Sequence, residues 1–357
     1  MKKNTVRFYE LDLLRFFAAM AVVLFHLLFR GQQGDYIPVT YPNLEGFAQY
    51  GGLGVNLFFM ISGFVISLSA VNRSPKQFVV SRMARLYPAF WAGVTITAIA
   101  IVLFGGSLFQ VSFSQYLVNL TMLAQFVGVE DIDGVYWTLY VELKFYAIIF
   151  LVLFFKQFHR IELILGAWLL ILLLGLVVPY HRAVNALIFP EWSPYFISGV
   201  CYYLLKVKGF NPLRLGLLVI AFLLTLNSAV ENIAIFNEDY NINASSYIAV
   251  SAVIIFHAIF GLILFNKLSW FRSSWAIKIG ALTYPLYLIH ENLGFMFMTD
   301  FADSFNKYTL LFIAIALLLL LSWLIHIIVE KKFGAILKKS LESILFMPAQ
   351  LKKTQNT

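Results

Sequence analysis

Two ionisable side chains, Arg15 and His26, interrupt the first apolar stretch of the chain, residues 11–29. Eleven residues make about three turns of α-helix, so both side chains lie on one face, about 16 Å apart along the axis. Ionisable groups at membrane depth usually face a site, so the pair predicts a titratable base at one end and a fixed cation at the other. The structural alternative is an arginine that snorkels to the interface and a histidine hydrogen-bonded within the bundle.

Later apolar stretches also hold ionisable residues. We predict functional roles for Glu142 and His290, because such groups are rare at membrane depth. The alternative for Glu142 is an ion pair with a nearby cation such as Lys144. For His257 and His326, hydrogen bonding within the bundle is the favoured interpretation.

Arg82 and Arg85 precede the third apolar stretch and, three residues apart, share one helix face. A pair of guanidinium groups suits phosphate, which each can bind in a bidentate manner. The usual enrichment of basic residues beside membrane spans explains the same pattern equally well.

The segment from Gly51 to Gly63 is rich in glycine and contains Gly54 and Ser62. Small residues let helix backbones approach closely, and glycine permits a kinked entry into a span. The segment lacks the preceding strand of a dinucleotide-binding loop, so it does not indicate nucleotide binding. We predict that it packs helices or positions substrate.

The composition excludes an ordinary soluble domain. Of 357 residues, 61% are hydrophobic and 12% charged, whereas soluble domains are about half apolar and a quarter charged. Continuous apolar runs also exclude a transmembrane β-barrel. We predict an all-α, polytopic transmembrane helix bundle of about ten spans. The predicted spans are 11–29, 53–70, 86–104, 136–155, 161–178, 187–205, 213–230, 247–265, 276–298 and 310–329.

Ten spans place both termini on one side of the membrane, and most of the 26 Lys and Arg residues then fall on that side. The positive-inside rule predicts cytoplasmic termini and a multi-pass protein of the cell membrane. This distribution explains the net charge of +8 without a nucleic-acid partner. Residues 1–330 form the predicted transmembrane domain, and the basic tail 331–357 is expected on the cytoplasmic leaflet, against membrane lipid.

Two apolar stretches are irregular. The stretch 113–127 is short, and we interpret it as an interfacial or re-entrant helix. The sixth predicted span contains two prolines, and we expect it to begin near Pro194.

In order and spacing, these segments resemble the membrane-bound acyltransferase family 3 over nearly the whole chain. The resemblance is carried by Arg15, His26, Gly54, Ser62, Gly63, Arg82, Arg85, Trp137, Glu142, Tyr146, Tyr284, Tyr287 and His290. The family often ends its last helix with Glu-Arg-Pro, whereas here Glu330 is followed by Lys331 and Lys332. The role of Glu330 therefore does not follow from the resemblance.

The resemblance implies transfer of an acyl group, most often acetyl, from acyl-coenzyme A to a hydroxyl of a cell-surface carbohydrate or lipid-linked saccharide. Acyl-CoA is then a co-substrate, and neither a permanently bound cofactor nor a metal is expected. The single cysteine, Cys201, also indicates no metal cluster.

Roles for the candidate residues follow from this chemistry. Removal of the proton from the acceptor hydroxyl requires a base, for which His26 is the candidate. We expect Glu142 to orient His26 or assist its proton transfer, and His290 to bind the acceptor hydroxyl. Arg15, Arg82 and Arg85 are expected to receive the phosphates of the donor.

Competing classes remain at this stage. A proton-coupled secondary transporter or exporter also uses buried His, Glu and Arg, but the inverted repeats expected of that class are not visible. A structural membrane protein would not need so many charges at depth. The other membrane O-acyltransferase superfamily lacks the early arginine and histidine pair.

Overall fold

The computed structural model describes residues 8–271 and 273–346, which form a bundle of long α-helices. These residues contain no β-strand, which confirms the all-α prediction. We number the helices of 15 or more residues in chain order. They are α1 Tyr9–Phe25, α2 Gly54–Ala70, α3 Pro75–Phe104, α4 Trp137–Phe154, α5 Ile161–Gly175, α6 Ser193–Lys208, α7 Pro212–Tyr240, α8 Ser246–Leu264, α9 Thr283–Asp300, α10 Lys307–Leu324 and α11 Lys331–Phe346. Short α-helices lie between them at Gly31–Gln33, Pro42–Ala48, Phe113–Asn119, Arg182–Ile188 and Ser274–Gly280.

Eight helical segments of the described chain are long and apolar enough to cross a membrane, as expected of a multi-pass protein. The sequence predicted about ten spans, and the other two, 187–205 and 276–298, correspond to α6 and α9. α6 has only 16 residues, and α9 carries His290 and Glu291. Most residues of both helices are buried, so their side chains face other helices and need not be as apolar as those that face lipid.

The two irregular stretches have distinct structures. α6 begins at Ser193 with Pro194 in its first turn, where the missing N–H has no helical partner to lose. The stretch 113–127 folds back along α3. Its Tyr116 hydroxyl lies 3.1 Å from Thr95 Oγ1, and further along Tyr87 donates a hydrogen bond of 2.9 Å to the carbonyl of residue 121. This path fits the re-entrant alternative better than the interfacial one.

Glycines allow α2 to touch its neighbours backbone to backbone. A Cβ built on Gly63 would lie 2.1 Å from the carbonyl oxygen of Phe196, and one on Gly199 would lie 2.0 Å from a carbonyl of α2. Gly54 likewise contacts the backbone of α1, because a Cβ built on Gly54 would lie 2.5 Å from the carbonyl oxygen of Ala18. Only residues without a Cβ allow such contacts, so these glycines fix the spacing of α1, α2 and α6.

We expect Gly63→Ala to destabilise the bundle by about 2–3 kcal/mol, because the added methyl group forces α2 and α6 apart. The matched control is Gly216→Ala on α7, where a Cβ meets nothing within 4 Å and alanine favours the helix by about 0.5–1 kcal/mol. The thermal unfolding midpoint of each variant in detergent is the measurement. Equal midpoints for the two variants would contradict the packing role of Gly63.

The predicted boundary at residue 330 does not coincide with a break in the structure. α10 continues through the π-helical turn Ile325–Glu330 directly into α11. α11 packs along the start of α3, where a Cβ on Gly334 would lie 3.1 Å from the carbonyl oxygen of Ala84. Residues 331–346 therefore form a helix that packs along α3 with none of its residues buried, and the remainder of the predicted tail, 347–357, lies outside the described residues.

Candidate active site

A cavity of about 890 Å³ lies between α1, α2, α3, α4, α9 and the continuous helix α10–α11. Its volume falls in the range of about 300–1,000 Å³ that is typical of sites for small molecules and cofactors. Six basic and three acidic side chains line it: Arg15, Arg73, Arg82, Arg85, Lys331, Lys338, Glu142, Glu330 and Glu342. All but Arg15 and Glu142 belong to the start of α3 and to α10–α11. We call this end of the cavity the basic mouth, and its excess of cations attracts anions.

Both predicted phosphate-binding residues of α3 line the basic mouth. α3 begins at a capping box on Ser74, which places Arg82 and Arg85 two to three turns into the helix. The Arg82 guanidinium lies 5.9 Å from the ring centroid of Tyr146, and within the described residues its buried Nε has no hydrogen-bond acceptor. Arg85 is paired with the Glu330 carboxylate. Arg82 Nη2 donates to the hydroxyl of the adjacent Ser81 at 3.2 Å.

Glu142 lies in the cavity wall and is bonded to α2. Ser62 Oγ donates to Glu142 Oε1 at 2.5 Å, and Arg15 and Tyr146 are electrostatic neighbours of this carboxylate. Glu142 was expected to orient His26 or to assist its proton transfer. It projects from α4 toward α2, whereas His26 lies where α1 meets α9, so Glu142 does not orient the His26 ring directly. In this wall, Glu142 balances part of the charge of Arg15.

Two tyrosines of α9 line the cavity at different depths. Tyr287 lies toward the inner end, next to His290, and its hydroxyl accepts a hydrogen bond of 3.0 Å from Thr138 Oγ1. Tyr284, one turn earlier, lies near Arg85 of the basic mouth and donates to the carbonyl of Leu86 in α3 at 3.2 Å. Trp137 is not among the lining residues and packs against Trp192 with ring centroids 5.1 Å apart. The tyrosines thus face the cavity, and the tryptophan supports the bundle.

Beyond Tyr287, His290 of α9 meets His26 at the end of α1. His290 Nε2 lies 3.0 Å from His26 Nδ1. Each Nδ1 also faces a carbonyl oxygen, at 2.8 Å from Val22 for His26 and at 2.9 Å from Tyr287 for His290. A carbonyl only accepts, so we assign the proton of each neutral ring to Nδ1. The Nδ1 proton of His26 is then shared between the Val22 carbonyl and His290 Nε2, and the free basic nitrogen of the pair is His26 Nε2.

These contacts leave neither ring nitrogen of His290 free to bind the acceptor hydroxyl. The residue is 0% exposed, and both ring nitrogens are engaged. The expectation that His290 binds the acceptor is therefore wrong in this arrangement. Its position instead holds the His26 ring and fixes the proton on His26 Nδ1.

The carboxylate beside His26 is that of Glu291. Glu291 Oε2 lies 3.5 Å from His26 Nε2, and Arg30 Nε donates to Glu291 Oε1 at 2.8 Å. Arg30 also donates to the Tyr240 hydroxyl at 3.0 Å. A Cβ on Gly134 would lie 2.8 Å from Glu291 Oε2, so this glycine makes room for the carboxylate. Because the side chain of Arg30 is 34% exposed, the network leads from the imidazole pair to the surface away from the basic mouth.

Both π-helical turns in the described part of the chain carry residues of the site. The first, His26–Arg30, contains His26 of the imidazole pair and Arg30, the partner of Glu291. The second, Ile325–Glu330, contains His326 and Glu330, whose side chains are 2.5 Å apart. A π-helical turn inserts one residue and rotates the side chains that follow, and such turns are frequent at functional sites.

The other two histidines considered in the sequence analysis, His257 and His326, have different surroundings. His257 is bonded through both ring nitrogens, to Tyr202 at 3.2 Å and to Thr225 at 3.1 Å, as expected of a histidine satisfied within the bundle. His326 was given the same interpretation, but it lines the cavity beside Glu330.

The sequence analysis did not select six charged residues that the structure brings to the site. They are Arg30, Arg73, Glu291, Lys331, Lys338 and Glu342. For Glu291, the sequence feature that could have identified it is its position inside an apolar helix next to His290. Nothing in the spacing of Arg30 or the two lysines distinguishes them from ordinary basic residues that flank spans.

No group of three His, Cys, Asp or Glu side chains within residues 8–271 and 273–346 is arranged to hold a metal ion.

The fold and site define an integral membrane protein in which a basic cavity leads toward a buried imidazole pair. A family model described as "Acyltransferase domain" matches residues 8–327. The chain therefore belongs to acyltransferase family 3, as the sequence motifs indicated.

Three curated relatives resemble parts of the chain. Nodulation protein 10 of Rhizobium leguminosarum bv. viciae is 32% identical over 38% of this chain and 41% of the relative. Exopolysaccharide production protein ExoZ of Rhizobium meliloti is 29% identical over 46% and 55%, respectively. The O-acetyl transferase of Shigella phage Sf6 is 32% identical over 38% and 43%. The matches thus span about half the length of these relatives. No solved structure matches.

Proposed function

We propose that this protein is a membrane O-acyltransferase that moves an acyl group, acetyl in the first instance, from acyl-CoA to a hydroxyl of a cell-surface carbohydrate or lipid-linked saccharide. Family membership and a relative named O-acetyl transferase support the reaction class. A relative named for exopolysaccharide production supports a saccharide acceptor. The observation that carries the proposal is the cavity with cations at one end and Tyr287, next to the imidazole pair, at the other.

The donor enters the cavity from the basic mouth. Coenzyme A carries several phosphates, and Arg82 and Arg85 present guanidinium groups there. The pantetheine arm then extends past Arg15 and Glu142 to Tyr287, which brings the thioester next to His290. The predicted topology places the basic mouth in the cytoplasm, where acyl-CoA is made.

The acceptor hydroxyl is deprotonated by His26. The hydroxyl oxygen forms a bond to the thioester carbon, its proton passes to His26 Nε2, and the carbon–sulfur bond breaks to release the CoA thiolate. Glu291, 3.5 Å away, stabilises the imidazolium that forms. Arg30 holds Glu291 in place and lies on the side from which a saccharide arrives in the predicted topology.

Mass spectrometry of surface glycans from cells with and without the gene tests the function. We expect the loss of one acyl group per modified saccharide unit when the protein is absent. Purified protein in nanodiscs should also release free CoA from acetyl-CoA only when an acceptor saccharide is present. Identical glycan masses together with uptake of a solute into proteoliposomes would overturn the proposal and favour a transporter.

We expect Glu291→Gln to lower kcat by about tenfold to hundredfold and to leave the KM for acyl-CoA unchanged, because the amide cannot stabilise the imidazolium of His26. Glu162→Gln is the matched control, since Glu162 is ion-paired with Arg214 and does not line the cavity. Steady-state kinetics in nanodiscs give both constants. An unchanged kcat for Glu291→Gln would show that Glu291 does not act on the base.

A further inference from the structure

The helix α11 lies almost entirely beyond the residues that match the family, which end at 327, and it forms one wall of the basic mouth. Five of its residues line the cavity: Lys331, Gly334, Ala335, Lys338 and Glu342. Their spacing of three and four residues puts them on one face of the helix. The wall is thus a stripe along one helix face that lies outside the residues matched by the family model.

Two lysines of this stripe face the cavity. Lys331 and Lys338 are seven residues apart, which separates them by two turns and about 10 Å along the axis. Lys332 and Lys339, one residue further in each case, are not among the lining residues, although all four lysines are exposed. The helix therefore presents two pairs of lysines of equal charge that differ in whether they face the cavity.

Contacts with α3 fix the orientation of the helix. Gly334 lies close to the backbone of α3, and Lys76 at the start of α3 donates a hydrogen bond of 3.2 Å to the carbonyl of residue 345. Phe333 and Ile336 are more than half exposed on the surface away from the cavity, as expected for contact with lipid. With this packing, Lys331, Lys338 and Arg82 of α3 line the same cavity.

We propose that α11 is part of the donor site and that Lys331 and Lys338 bind the nucleotide phosphates of acyl-CoA. This inference rests on the proposed function. The nucleotide end is assigned to the mouth because the thioester occupies the opposite end, near Tyr287. The ion pair of Lys338 with Glu342, at 3.9 Å, is long and exposed, so a phosphate with more charge replaces it readily.

The double variant Lys331→Ala/Lys338→Ala tests the proposal in full-length protein in nanodiscs. We expect its KM for acyl-CoA to rise about tenfold, because two charge-assisted contacts to phosphate are lost. Its KM for acyl-pantetheine, which lacks the nucleotide, should stay within about twofold of the starting protein, and this second substrate also reports on folding. The conservative variant Lys331→Arg/Lys338→Arg should restore the KM for acyl-CoA.

The matched control is Lys332→Ala/Lys339→Ala, which removes the same charge from the face that does not line the cavity. Equal KM values for the two alanine variants would overturn the proposal. Nanodiscs of zwitterionic and of anionic lipid separate donor binding from lipid binding, since an effect confined to anionic nanodiscs would assign the lysines to lipid headgroups. Absence of turnover with both donors in the starting protein would instead overturn the proposed function.

Discussion

His26→Asn is expected to lower kcat by about 10²–10⁴-fold, the range that a positioned general base contributes. Asparagine can still donate a hydrogen bond near the Val22 carbonyl, which His26 Nδ1 contacts at 2.8 Å, but it has no basic nitrogen to face the acceptor. The KM for acyl-CoA should change little, because the phosphates are bound at the basic mouth, far along α1 from residue 26. Steady-state kinetics with acetyl-CoA and an acceptor saccharide measure both constants.

The control for this prediction is His257→Asn, the same substitution at a buried histidine of α8. His257 is bonded to Tyr202 and Thr225 and does not line the cavity, so its loss tests stability without touching the site. Size-exclusion profiles and unfolding midpoints show whether both variants are folded. A folded His26→Asn protein with the kcat of the starting protein would rule out His26 as the base.

Arg82→Ala/Arg85→Ala is expected to raise the KM for acyl-CoA by about 10²-fold, because a hydrogen bond to a charged group contributes about 1.5–3 kcal/mol. The kcat at saturating donor should stay unchanged, since the contacts between the arginines and the phosphates are equally strong in the ground state and the transition state. Acyl-pantetheine should show no such rise in KM. Salt should weaken acyl-CoA binding by the starting protein more than by the variant, because screening acts on the phosphate contacts.

Two controls separate phosphate binding from structural effects. Arg214→Ala removes an arginine that is paired with Glu162 away from the cavity, so the KM for acyl-CoA should not change. Glu330→Gln tests whether the loss of the Arg85 ion pair alone disturbs the mouth. If the double arginine variant binds acyl-CoA as tightly as the starting protein, the arginines do not receive phosphate.

Much of the fold was predictable because hydropathy acts locally. Apolar runs of about 20 residues predicted the long helices, and Gly63 predicted a close helix contact that its position against Phe196 shows. The prediction was less accurate for α6 and α9, where burial inside the protein replaces contact with lipid. The sequence did not indicate that Lys331 and Lys338 of α11 line the cavity, because a sequence does not show which face of a helix meets a cavity.

The sequence by itself determined the class of fold, the family and the residue types at the site, since these follow from local composition and motif spacing. Only the tertiary structure decided which of those residues act together. His290 and Glu291 reach His26 across about 260 positions of sequence, whereas Glu142 is held by Ser62. The physical reason is that pairing of buried polar groups depends on the rotation and crossing of packed helices, which the order of residues along one helix does not specify.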